Sequence, residues 1–144
     1  MAETLARNEA FFSALENMFL VEKERHGAEQ ALELFTSVIR RGLRKAYSTQ
    51  SYMKGDTGDF ARVVGARDKA VGLRVEFDDI KKDGLVYRFL DDPFPNLKGQ
   101  VNYGDLDATY MRFKVDFLLG NGWHYSTGKH LWLGNKYTEH VIMK

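Results

Sequence analysis

Hydrophobic positions recur at helical spacing in the first third of the chain and alternate in its middle. Between residues 3 and 25, Phe11, Phe12, Leu15, Met18 and Phe19 form an apolar stripe, which predicts a helix. Thr4 can cap its start, and His26-Gly27 supplies its stop. A second helix is predicted from Ala28 to Tyr47, with Ala31, Leu34, Phe35, Val38, Leu43 and Ala46 along its stripe. The short break between the two predicts an antiparallel helix pair. Ser48 to Asp59 is polar and contains glycine, so it reads as a loop. Asp59 or Thr57 then caps a short third helix that holds Phe60, Val63 and Val64.

The period changes after Gly72. Leu73, Val75 and Phe77 share one face, with Arg74 and Glu76 on the other, as in a half-buried strand. Lys81 to Gly84 reads as a hairpin turn leading into the strand LVYRFL. The segment from Asp91 to Asp105 holds both prolines and suits neither a regular helix nor a central strand throughout. From Leu106 to Leu119 the spacing is helical again, with Leu106, Tyr110, Phe113 and Phe117 on one face, and Gly120-Asn121-Gly122 ends it. Two more strands are expected to flank a two-residue turn at Gly134-Asn135. The expected fold is therefore α+β: N-terminal helices packed on an antiparallel sheet of about four strands, with one helix between two hairpins. A chain of 144 residues fits a single domain, 1–144.

Composition narrows the function classes. Aromatics reach 13%, with ten Phe, seven Tyr and two Trp, which favours a thick core or an aromatic-lined pocket for a small-molecule ligand. The formal net charge is +1, so electrostatics make no case for nucleic acid. The basic run Arg40, Arg41, Arg44 and Lys45 reads as a solvated helix face, opposite Val38, Gly42, Leu43 and Ala46. Cysteine is absent, which excludes disulfides and thiolate nucleophiles. No apolar run approaches the roughly 18 residues a membrane span needs, and the N-terminus lacks a signal-peptide pattern, so no membrane association and a cytoplasmic location are expected. Phosphate-cradling and dinucleotide-binding glycine motifs are missing, as are H-E-x-x-H and G-x-S-x-G, so no cofactor is expected.

Candidate chemistry gathers in the tail from Gly122 to Lys144, which carries His124, His130 and His140 together with Trp123 and Trp132. With Gly134-Asn135 as a two-residue loop, Trp132 faces Tyr137 and His130 faces Glu139, all on one side of the hairpin. His140 then falls on the opposite side, which argues against a metal site built from the histidines. A carboxylate that orients an imidazole is the arrangement of a general base, here His130 with Glu139. The same pair also fits a plain cross-strand contact on an exposed sheet face. Asp78-Asp79 and Asp91-Asp92 read as turn formers or as paired acids. Asp116 sits near the C-terminal end of the fourth helix, where the helix dipole disfavours it, and either pairs with Arg112 or faces a cavity.

The order of these features resembles the L-2-amino-thiazoline-4-carboxylic acid hydrolase family. The likeness runs from Glu24-Arg25-His26-Gly27 through Asp92-Pro93, a Tyr-containing helix with Asp116 near its end, and the glycine turn at Gly134. It implies a small α+β domain with hydrolase-like activity. The family's cysteines commonly precede the proline, lie in the later helix and follow the glycine turn; the nearest positions here are Asp92, Met111 or Phe113, and Thr138. The resemblance therefore leaves two routes: an enzyme that uses carboxylate and imidazole, or a non-catalytic binding module on the same fold.

On the first route the chain is a cofactor-free enzyme that hydrolyses, opens a ring or moves a proton on a small heterocyclic or carboxylated substrate. His130 is the base, Glu139 orients it, and Asp116 and Asp92 act as acid or positioning groups. Tyr110, Trp123, His124, Trp132 and Tyr137 line the pocket. On this route His130→Ala removes turnover and leaves the fold intact. On the second route the aromatics serve a ligand or a homodimer formed through the N-terminal helices.

Overall fold

The computed structural model describes residues 7–144, so the expected cap at Thr4 lies outside the described residues. Helix α1 runs Glu9–His26, and the Asn8 side chain accepts a hydrogen bond from the Phe11 N–H at its start. Gly27, at φ +91°, ends α1 and begins α2, Ala28–Ser48. Phe19 packs edge-on against Phe35, and Phe94 bridges Phe12 and Phe35, so aromatic rings join the two helices to the proline segment. Glu16 is buried in α1 and accepts from the Asn96 N–H (2.7 Å) and its side-chain amide (3.1 Å), which tethers the same segment.

Helix α3 spans Thr57–Ala70, and its cap is Asp56, whose carboxylate accepts from the Asp59 N–H. The expected cap residues play other parts. Thr57 is inside the first turn, and Asp59 accepts from the Met53 N–H, closing the loop before the helix. Helix α4 spans Tyr103–Leu118 and begins three residues earlier than its apolar pattern, because Asn102 caps the N–H groups of Gly104 and Asp105.

Strands β1 (Val75–Lys81), β2 (Gly84–Phe89), β3 (His124–Lys129) and β4 (Thr138–Met143) form an antiparallel sheet in the order β1-β2-β4-β3. Gly84 opens β2 where a Cβ would meet the Ile142 carbonyl at 2.9 Å, so this close strand approach requires glycine. Leu85, Tyr87 and Phe89 of β2 and Thr138, His140 and Ile142 of β4 are buried beneath the helices. Their cross-strand partners are Leu85 with Ile142, Tyr87 with His140 and Phe89 with Thr138. Arg88 and Glu139, also paired, point to the opposite face. The fold is thus the expected α+β arrangement, with four helices and four strands among the described residues.

The expected register of the tail is wrong. Strand β3 ends at Lys129, and Leu131–Leu133 forms a single 3-10 turn before β4. Glu139 therefore pairs with Lys129, not His130. Side-chain caps explain the change. His130 Nδ1 accepts from the Trp132 N–H (3.0 Å), Asn135 accepts from the His130 N–H (2.9 Å) and Thr138 Oγ1 accepts from the Leu131 N–H (3.0 Å). These bonds satisfy the backbone locally, as Asn and Thr side chains do in turns. A type I′ turn needs positive φ at both central residues; Gly134 has φ +88°, but Asn135 is not among the positive-φ residues.

The basic run lies in solvent as expected, with Arg40, Arg41, Arg44 and Lys45 all exposed. Leu34, Val38 and Gly42, read as inward-facing, are exposed as well. For Val38 and Gly42 the reason is a pocket between the helices, which they border.

Candidate functional site

The tail residues divide among three places. Asp92, Tyr110, His130 and Trp132 meet on the inner side of the sheet. Trp132 Nε1 donates to Asp92 (2.6 Å), and Asp92 also accepts from the Phe94 N–H (2.9 Å). Glu139 and Tyr137 instead meet Arg88. The Arg88 Nε donates to Glu139 (2.8 Å), and its guanidinium lies 5.5 Å from the Tyr137 ring centre. Asp116, Trp123 and His124 border an open surface groove beside β3. Asp116 and His124 are exposed there, while Trp123 is buried.

His130 is joined to Asp107, not to Glu139. Its Nε2 lies 3.0 Å from Asp107 Oδ2, and Tyr110 donates to Asp107 Oδ1 (2.9 Å). Because Nδ1 accepts the Trp132 N–H, Nε2 is the nitrogen that donates to Asp107. Both ring nitrogens are occupied, which leaves no lone pair free to take a substrate proton. The cavity among Asp92, Asp107, Tyr110, His130 and Trp132 measures about 10 Å³. A single water needs roughly 10–15 Å³ on this measure, so the cluster has no room for a substrate. It is a polar network inside the core.

His140 joins the same network from β4. Its Nδ1 lies 2.8 Å from Thr127 Oγ1, and its Nε2 lies 4.0 Å from Asp107 Oδ2 without a hydrogen-bond partner. Tyr87, Phe89 and Tyr125 surround the ring. Burial lowers its pKa to about 4, against the attraction of Asp107, so the imidazole is neutral. Two histidines and one carboxylate thus converge where strand alternation separated them. No group of three or more His, Cys, Asp or Glu that could hold a metal occurs among the described residues.

A larger space lies on the other side of Tyr110. It measures about 210 Å³ and is walled by Phe11, Phe12 and Leu15 of α1, Val38, Ile39 and Leu43 of α2, and Phe89 and Phe94. Asp68 of α3 and Lys114 of α4 also line it. Both are buried, with Lys114 Nζ 3.6 Å from Asp68 Oδ1. Lys114 donates to the Tyr87 hydroxyl (2.9 Å), which in turn donates to Asp68. The ammonium also lies 5.1, 5.2 and 5.2 Å from the ring centres of Tyr87, Phe89 and Tyr110. Such desolvated cation–π contacts are worth about 2 kcal/mol or more.

Burial acts on each member of this group. It raises Asp68, against the attraction of Lys114, and it lowers Lys114, against the attraction of Asp68. It also raises Tyr87 well above the usual phenol range, with the Asp68 charge adding to the effect. Burial thus disfavours the charged form of both Asp68 and Lys114, while their mutual attraction favours it. Tyr47, buried close enough for the Asp68 charge to raise it further, keeps a hydroxyl without a partner.

Sequence reasoning passed over Asp68 and Lys114, although the signal was present. Phe60, Val64 and Asp68 share one stripe of α3 at four-residue steps, as do Tyr110, Lys114 and Leu118 on α4. A charged residue on an apolar stripe is seldom buried without a partner. Each stripe implies that the other exists. Compared with protein-family models, curated proteins and solved structures, this chain matches none.

Proposed function

We propose that this chain is a small cofactor-free enzyme that moves a proton, in a hydrolytic, ring-opening or related step, on a small and largely apolar substrate held between the helices. The observation that carries this reading is the buried Asp68–Tyr87–Lys114 group opening on a 210 Å³ apolar pocket. A pocket of apolar walls with a few convergent polar groups of displaced pKa is the common form of an active site. Asp68 supplies the acid or base. Lys114 stabilises negative charge that develops on the substrate, in surroundings that strengthen electrostatic contacts. Tyr87 stands behind both and positions them. The hydrolase-like reading of the sequence is retained as part of this proposal, with its acid–base groups moved from the tail to α3 and α4.

The second reading is a non-catalytic binding module. It is favoured by one feature: the Tyr87 proton is already committed to Asp68, and Lys114 already donates to Tyr87. Turnover separates the two. A panel of small heterocyclic and carboxylated compounds is followed by NMR in D2O for ring opening, hydrolysis or hydrogen exchange. The enzyme reading expects turnover by the wild type that Asp68→Asn removes while the fold persists. Binding without turnover across the panel supports the module instead.

A cytoplasmic location and a homodimer through α1 and α2 belong to the same proposal. Val21 and Leu34 leave 45% and 38% of their surface exposed on these helices, which supports the dimer. Light scattering after gel filtration tests it, and a monomer at working concentration rejects it. No helix of the described residues is long and apolar enough to cross a membrane.

A further inference from the structure

Three features of the α1–α2–α3–α4 pocket bear on its occupant. First, the Lys114 ammonium has three donors and, among the described residues, makes one hydrogen bond, to Tyr87. Asp68 stands 3.6 Å away, beyond hydrogen-bond distance. The buried ammonium is thus held by one hydrogen bond, a loose ion pair with Asp68 and the ring faces of Tyr87, Phe89 and Tyr110. Second, the pocket wall carries two cations, Lys114 and Arg67, against one carboxylate, Asp68, which leaves one positive charge in excess. Arg67 forms no ion pair among the described residues, and its guanidinium lies 5.6 Å from the Phe11 ring centre. Third, Gly42 stands inside α2 at the exposed mouth of the pocket, where a Cβ would meet nothing within 4 Å. Glycine in a helix interior costs roughly 0.5–1 kcal/mol relative to alanine. Nothing in the protein's own packing requires it here, and its lack of a side chain keeps the mouth open.

We infer that the pocket takes a small monoanionic amphiphile, a hydrocarbon-chain or aryl monocarboxylate. Its carboxylate accepts from Lys114, and its apolar body lies along Phe12, Leu15, Ile39, Leu43 and Phe94 as it passes Gly42. The carboxylate gives the ammonium a closer acceptor than Asp68 and cancels the excess charge. A neutral amide does the first and not the second, and an amine does neither. The volume of 210 Å³ lies below the roughly 300–1,000 Å³ of drug-sized sites, so the ligand is small. This inference rests on the pocket being the working site, as proposed above.

The test compares octanoate, octanamide and octylamine by isothermal titration and by NMR of the isotope-labelled full chain. Octanoate is expected to bind one site at least tenfold more tightly than octanamide, with octylamine weakest. Lys114→Met should bring octanoate down to the level of the amide. Because that change leaves Asp68 buried without its cation, Gly42→Trp provides a second arm at the exposed mouth. It should abolish octanoate binding while circular dichroism and melting temperature stay close to wild type. Equal binding of acid and amide, blocked by Gly42→Trp, overturns the carboxylate assignment and leaves the pocket as the site. Preference for the amine overturns it as well. Absence of binding by all three overturns both the assignment and the pocket reading.

Discussion

Lys114 and Asp68 face each other in the protein interior, Nζ 3.6 Å from Oδ1, with each side chain about 4% exposed. They arrive from different helices, α4 and α3, and Tyr87 of β2 joins them through its hydroxyl. The pair thus ties two helices to the centre of the sheet at the floor of the pocket.

Breaking this pair from one side should be far worse than replacing both partners. Removing one partner of a buried ion pair costs about 3 to 5 kcal/mol, because the other charge stays buried alone. Lys114→Met and Asp68→Leu should each lose stability in that range by urea denaturation. The double variant should recover much of the loss. Additive losses in the double-mutant cycle would show that the two charges do not interact.

His140 makes stability depend on acid. Its pKa is about 4 in the folded chain and 6.5 ordinarily, so between those values the unfolded chain binds a proton that the folded chain refuses. The stabilisation is fully present above about pH 6.5 and is lost as pH falls towards 4. At about 1.4 kcal/mol per unit, the loss is on the order of 3 kcal/mol. Besides burial, the charges that act on the ring are those of Asp107, Lys114 and His130. Denaturation midpoints measured between pH 4 and 7 should slope downward, and His140→Gln should flatten the slope. An unchanged slope in that variant rejects His140 as its source.

His130 should prove structural. Replacement by alanine leaves Asp107 buried with one donor fewer and removes the acceptor for the Trp132 N–H. An unsatisfied buried group costs about 1 to 3 kcal/mol, more if charged. The melting temperature of His130→Ala should therefore fall by several degrees, whatever its activity. A melting temperature equal to wild type, with activity lost, would restore the base role read from the sequence.

Gly42→Ala should stabilise the chain by about 0.5 to 1 kcal/mol, through helix propensity alone. The position has room for a Cβ and lies within α2. Urea denaturation gives the sign directly, and a loss of stability would mean that the glycine has a conformational role in the helix.

Glu139, the expected partner of His130, should matter little to the fold. It meets Arg88 on the open face of the sheet, where paired charges contribute about 0 to 1 kcal/mol. Glu139→Gln should shift the denaturation midpoint within that range and leave binding in the pocket unchanged. A loss of ligand affinity would place the outer face in the site.

The periodic signals determined the helices and strands, because a 3.6-residue or two-residue repeat is a local property of the chain. Phe12, Leu15 and Phe19 on α1, and Leu85, Tyr87 and Phe89 on β2, are buried as their spacing required. Boundaries moved where side chains outside the repeat capped the backbone, as Asn102 does for α4 and Asp56 for α3. Register in the tail was decided by three side-chain hydrogen bonds around His130, and a single-residue shift there changed the histidine's partner from Glu139 to Asp107. The pocket and its floor belong to the tertiary structure in a stronger sense. Asp68 and Lys114 are 46 positions apart in the sequence, and each alone is only a charge on an apolar stripe. Their pairing exists because α3 and α4 pack on the same face of the sheet, and the energy of two opposite charges depends on a distance that no local pattern encodes.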